Sequence, residues 1–323
     1  MDRETLRERR DERRRTIRRR RRATGALVAG ALAIAAIALA VGLSGSSGAG
    51  HPRGVGAHRA QTRRPNGARA ARPSRRGGLA TGHPGTATAP ILMYHVIAPP
   101  PAGAPFPGLY VAPELFAAQM HALKSAGWTS VTLDELDAYW RRGVSLPAGK
   151  PIVISFDNGY QSQFTQALPV LRSLGWVGDE NIQLTGLPPS QGGLGDDEVR
   201  GLVAAGWELD TQGISHADLI ALDANALHEQ VAGARATIQR RFHVPVNWFC
   251  YPSGHYDATV VAAVTAAGYK GSTTVVPGWA APGEDPYRLP RLRVLGGTSA
   301  QSLLAEIAAI RNDPPPPSSY GGA

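Results

Sequence analysis

Only one cysteine, Cys250, occurs in the 323 residues, so no intrachain disulfide can form and the fold must rest on its core. Acidic residues are missing from positions 44–90, a stretch that holds 8 Arg. The first 22 residues carry 12 Arg against 5 acidic residues, a net +7. The first 90 residues therefore hold +15, and since the whole chain is +9, residues 91–323 hold −6. The high isoelectric point belongs to the leader. A nucleic-acid partner for the folded part thereby loses its main support.

Charge is also absent from Ala23 to Leu43, a run of 21 residues reading ATGALVAGALAIAAIALAVGL. A helix needs roughly 20 apolar residues to cross a bilayer, whereas the apolar core of a cleavable signal is about 7–15 residues long. No small-x-small cleavage site follows before SGSSGAG, which favours an uncleaved signal anchor over a removed signal peptide. The Arg-rich residues 1–22 belong on the cytoplasmic side, so the expected location is the plasma membrane, single-pass, with the main domain outside. Large apolar residues are scarce in 44–88, which reads as a disordered basic linker able to lie against an anionic membrane or acidic wall polymers. The tail 312–323, NDPPPPSSYGGA, is expected to be disordered as well. No internal repeat is present. One domain remains, at 89–311, long enough to bury a core unaided.

Within that domain strand-like runs alternate with helical periodicity. ILMYHVI, PIVISFD, ELDTQG, NWFCYP, GSTTVV and RLRVL read as strands. PELFAAQMHALKSAGW, LDELDAYWRR, a segment near 161–174, DDEVRGLVAAGW, ANALHEQVAGARATIQRRF, 258–267 and 299–310 read as helices. The alternation predicts an α/β fold with a largely parallel sheet. Polar residues gather just after the strands, where a (β/α) barrel keeps its active site.

One further absence concerns chemistry. Strand PIVISFD ends in Asp157, and where a metal hydrolase would carry a second carboxylate the next residue is Asn158. The ordered set PILMYHVI, ISFDNGY, WELDTQGISHADL, FCYPSGHYD and LPRLRVLGGTS resembles the polysaccharide deacetylase family, in particular its poly-N-acetylglucosamine-deacetylating branch. The resemblance implies a distorted, incomplete (β/α) barrel, preceded here by one transmembrane helix. It also implies N-deacetylation of amino-sugar glycans by a divalent metal, usually zinc, held by an Asp and two His four residues apart.

Carried over by position, Asp157 matches the general base, Asn158 stands at the metal-ligand Asp, Gln212 at the first His, and His216 at the second. Ser253 matches the residue whose backbone N–H faces the developing oxyanion, and Arg291 matches a basic residue steering the base. No His follows His255, and His95 is the candidate for the general-acid place. Two of three ligand positions hold neutral amides, poor zinc donors beside carboxylate or imidazole, so metal binding is expected to be weak or absent. The blander readings are a cap or turn role for Asp157, a hydrogen-bonded core imidazole for His95, and an ordinary strand-end histidine for His216. Cys250 and the tryptophans Trp207, Trp248 and Trp279 are expected in the core, and His121, His228 and His243 in solvent. Two functions stay open: a membrane-anchored extracytoplasmic deacetylase of envelope glycan, and a metal-deficient relative that binds such glycan without hydrolysing it. A purely structural anchor ranks behind both.

Overall fold

The computed structural model describes residues 80, 82–185, 187 and 192–322. The segment 1–22, the expected anchor 23–43 and most of the linker lie outside them. Among the described residues no helix is long and apolar enough to cross a membrane.

In chain order the elements begin with β1 (Ala89–Tyr94), α1 (Pro113–Ser125), β2 (Trp128–Ser130), α2 (Leu133–Arg142) and β3 (Lys150–Asn158). Then come α3 (Leu168–Ser173), β4 (Asp179–Ile182), α4 (Asp196–Ala204) and β5 (Glu208–Thr211). Helices α5 (Ala224–His228) and α6 (Ala234–Phe242) follow, joined without a break by a π-turn at Glu229–Gly233. The last part is β6 (Trp248–Cys250), α7 (Ala258–Ala266), β7 (Gly271–Thr273), β8 (Trp279–Ala280), β9 (Leu292–Arg293) and α8 (Ala300–Ala309).

Local sequence explains where helices start and stop. Thr132 and Glu135 form a reciprocal capping box at the start of α2, and Gly143 ends it in the left-handed region at φ 63°. Asp257 and Ser299 cap α7 and α8 through their side chains. Pro113 opens α1, where its missing N–H costs nothing.

The sheet runs β7-β6-β5-β4-β3-β1, all parallel, with β2 beside β3, β9 parallel to β1, and β8 antiparallel to β1. A single bridge, Thr273 with Leu289, leads from β7 toward β9, which pairs with β1 and brings the sheet round on itself. The result is a curled parallel (β/α) sheet, as expected, whose seam is held by very little ladder. Its outer face packs Leu92, Tyr94, Ile154 and Phe156 against Phe116 and Met120 of α1 and Leu303 of α8. Each such side chain contributes roughly 1.5–3 kcal/mol on full burial. Phe156 also stacks on Trp207 at 4.9 Å between ring centroids.

Three readings need correction. Strand β4, DENI, passes for loop in the sequence because three of its four residues are polar, yet it is wholly buried in the middle of the sheet. Strands β6, β7 and β9 are shorter than their apolar runs. The tail also departs from its composition: Pro316 is buried, Tyr320 pairs with Tyr256 backbone to backbone, and the Tyr256 hydroxyl donates to the Pro317 carbonyl at 2.7 Å. Polyproline backbone loses little entropy on ordering, so a few aromatic contacts suffice to fix it. Trp207, Trp248 and Cys250 are buried, and His121, His228 and His243 are exposed.

Candidate active site

β3 delivers Asp157 and Asn158 to the C-terminal end of the sheet. Asn158 (φ 78°) and Gly159 (φ 86°) are both left-handed, which turns the chain sharply away just beyond Asp157. Asparagine tolerates that region better than most residues. At Gly159 an added Cβ would also lie 2.9 Å from Ile182.

Asp157 is 1% exposed and held on all sides. Arg291 grips it with a two-pronged contact, Nη1 to Oδ1 at 2.7 Å and Nη2 to Oδ2 at 2.9 Å. Asn181 of β4 donates to Oδ1 at 3.0 Å, and the Cys250 thiol lies 3.5 Å from Oδ2. Burial alone would raise the Asp157 pKa, but the Arg291 charge and its hydrogen bonds override it and leave the carboxyl at about 2. Arg291 is itself wholly buried and anchored to the Thr274 carbonyl at 2.7 Å and the Ser155 hydroxyl at 3.2 Å. The carboxylate is thus ionised at neutral pH and held as the anion by Arg291.

His95 follows β1, and its Nε2 is 4.0 Å from Asp157 Oδ2, beyond hydrogen-bond reach. Burial lowers its pKa to about 4 against the pull of Asp157, so the imidazole is neutral at pH 7 and no salt bridge forms. Its Nδ1 is buried without a partner. His216, half-buried with φ 53°, lies near enough to Asp157 and His255 for their charges to act on it. Burial lowers its pKa too, with Asp157 opposing. His255 is turned to Asp218, Nδ1 to Oδ1 at 3.0 Å. Ser253 is exposed at the same end in the left-handed region, φ 55°. The turn bonds from Gly254 N–H to Tyr251 and from His255 N–H to Pro252 do not use the Ser253 N–H.

The two positions expected to hold metal ligands carry side chains bonded within the protein. Gln212 Oε1 accepts the Asn158 backbone N–H at 3.0 Å, and Asn158 Nδ2 donates to Gln183 Oε1 at 2.9 Å. Gln183 Nε2 passes on to the Thr185 carbonyl at 2.9 Å. The Asn158 and Gln212 side chains are thus both engaged in hydrogen bonds within the protein, at the positions where the resemblance expects carboxylate and imidazole. Their donor chemistry does not fit zinc, and among the described residues His95, Asp157 and His216 do not converge into a three-ligand set. Sequence reasoning missed Asn181 of β4 and Gln183 just beyond it, the side chains that complete both networks. One signal could have found them: parallel strands need a crossover, so the helix near 161–174 requires a strand before the next helix begins.

Comparisons with known proteins place the chain beside one family. A family model described as polysaccharide deacetylase matches residues 146–272, a span that includes Asp157, Gln212, His216 and Ser253 but not His95 or Arg291. The Bacillus subtilis protein YxkH, assigned by name to the polysaccharide deacetylases, is 26% identical over 223 residues, 69% of this chain and 77% of that protein. The crystal structure of a polysaccharide deacetylase from Bacillus cereus superposes with a TM-score of 0.61 at 26% identity, covering 69% of each chain. A Streptococcus pyogenes deacetylase solved with acetate gives 0.62 at 24% identity over 70% of this chain and 99% of that one, a likeness of fold.

Proposed function

Since the chain belongs to the polysaccharide deacetylase family, we propose that it recognises N-acetylated envelope glycan through the family's cleft without a working hydrolytic metal centre. One observation carries this reading: at the two positions expected to hold metal ligands, Gln212 Oε1 accepts the Asn158 backbone N–H and the Asn158 amide donates to Gln183. Asp157 ionised beside Arg291, and the Ser253 N–H, remain as polar groups that can orient an amide-bearing sugar. A second reading, retained deacetylation, is favoured by the intact Asp157–Arg291 pair alone. Purified full-length protein should bind poly-N-acetylglucosamine or peptidoglycan fragments more tightly than their deacetylated forms, and should release no acetate above background. Acetate release that Asp157→Asn abolishes would establish the second reading. Equal affinity for acetylated and deacetylated chains would overturn the first.

We also propose that Ala23–Leu43 anchors the protein in the plasma membrane, Arg-rich end inside, with the barrel reaching the wall on the linker. The support is the uncharged run beside 12 Arg. Protease added to intact protoplasts should digest the barrel, and a barrel that survives until lysis would refute this topology.

A further inference from the structure

At the opposite, N-terminal end of the sheet, three carboxylates meet away from the proposed glycan cleft. Asp179 begins β4, and Glu208 and Asp210 lie on β5, with the register pairing Asp179 to Glu208. One oxygen of each is fixed by backbone N–H groups. Asp179 Oδ2 accepts from Leu133 at 2.9 Å and Glu208 Oε2 from Asp134 at 2.9 Å, both at the start of α2. Asp210 Oδ1 accepts from Asn247 at 3.1 Å and Trp248 at 2.9 Å. Among the described residues nothing outside the cluster bonds the other three oxygens, Asp179 Oδ1, Glu208 Oε1 and Asp210 Oδ2. All three of those oxygens are buried, so water cannot freely serve them. One donor oxygen from each of the three carboxylates lies within 4.8 Å of the others.

The neighbouring cations do not answer this charge. Lys270 pairs with Asp134 at 2.6 Å and reaches Asp137 at 3.9 Å, while Arg141 pairs with Asp137. Among the described residues no Lys or Arg pairs with the three carboxylates. The three oxygens lie close enough together for one hard cation to reach them all. An all-oxygen set with no imidazole or thiolate suits calcium or magnesium rather than zinc.

We propose that Asp179, Glu208 and Asp210 bind a single hard divalent cation, calcium or magnesium, which ties β4 and β5 to the start of α2. The role is structural, because the N-terminal end of such a sheet serves stability and the chemistry sits at the other end.

The test uses full-length protein in detergent, stripped with EDTA and then given calcium chloride or magnesium chloride. At a hundredfold excess over Kd the melting temperature should rise by about 5–10 °C. Terbium should occupy the same site and emit on tryptophan excitation, since Trp248 adjoins Asp210, and calcium should displace it. Glu208→Gln should remove the thermal rise and the emission, and His216→Ala should leave both intact. A melting temperature indifferent to either salt overturns the proposal, and so does a rise that survives Glu208→Gln with Asp210→Asn. Should Asp210→Asn fail to fold, terbium emission unaltered by Glu208→Gln alone is enough to overturn it.

Discussion

Replacing Asn158 by Asp and Gln212 by His together should raise zinc affinity at least roughly 100-fold, the upper end of what even outer-shell ligand partners control. The positions already converge: the side chain at 212 reaches the backbone N–H at 158, at 3.0 Å. Each change alone should do much less, because a metal site needs its ligands jointly. Asn158→Asp by itself would also set a carboxylate against Gln183 Oε1, now 2.9 Å from the amide nitrogen it replaces. That exchanges a hydrogen bond for a repulsion at a cost of about 1–3 kcal/mol. The single variant should therefore melt lower than the parent, and the double variant should recover on adding zinc. Zinc competition against a chromogenic chelator reads the affinity, and acetate release from N-acetylglucosamine oligomers reads the chemistry. Asp157→Asn on the repaired background should abolish any gained hydrolysis and keep the zinc. If the repaired protein binds a full equivalent of zinc and stays inert on every glycan tried, the cleft itself has diverged, and glycan recognition stands alone as its function.

Arg291→Met should cost about 3–5 kcal/mol of stability, because it leaves the Asp157 charge buried and unpaired. Arg291→Lys should restore little, since an ammonium cannot reproduce the fork that meets both carboxylate oxygens while holding Thr274 and Ser155. Arg291→Met with Asp157→Asn should cost less than Arg291→Met alone, no bare charge being left. The pH dependence has a fixed sign. The Asp157 pKa is depressed from 3.8 to about 2, so its contribution is full above about pH 4 and is lost as pH falls toward 2. Urea unfolding of parent and variant over that range should show the gap closing on acidification. A gap that stays constant from pH 5 to 2 would refute the pairing as its source.

The sequence exposed the site more fully than the scaffold around it. Asp157, Asn158, Gln212, His216 and Ser253 all sit on short motifs whose order survives, and the structure brings them to one end of the sheet. Arg291, 134 residues from Asp157, was legible only through its motif, because no local pattern reveals a pair closed across the barrel. β4 was illegible for the opposite reason. Its residues Asp179, Glu180 and Asn181 are polar and fully buried, so hydrophobic periodicity fails where a sheet turns polar side chains inward. The tail was misread because proline-rich composition describes a free chain and carries no information about Tyr320 finding Tyr256.

The seam of the barrel gives the Asp157–Arg291 pair a second reason to exist. Between β7 and β9 the ladder thins to the bridge at Leu289, and Arg291 spans the gap, its N–H on the Val276 carbonyl, its Nε on Thr274 and its fork on β3. The pair that would steer a base is also a rivet through the wall. Mutational drift can therefore reach the ligand positions, where one amide satisfies another, long before it reaches Asp157 or Arg291. A lineage that abandons hydrolysis will keep the carboxylate that hydrolysis needed, and will look catalytic at that one position for as long as the barrel stays shut.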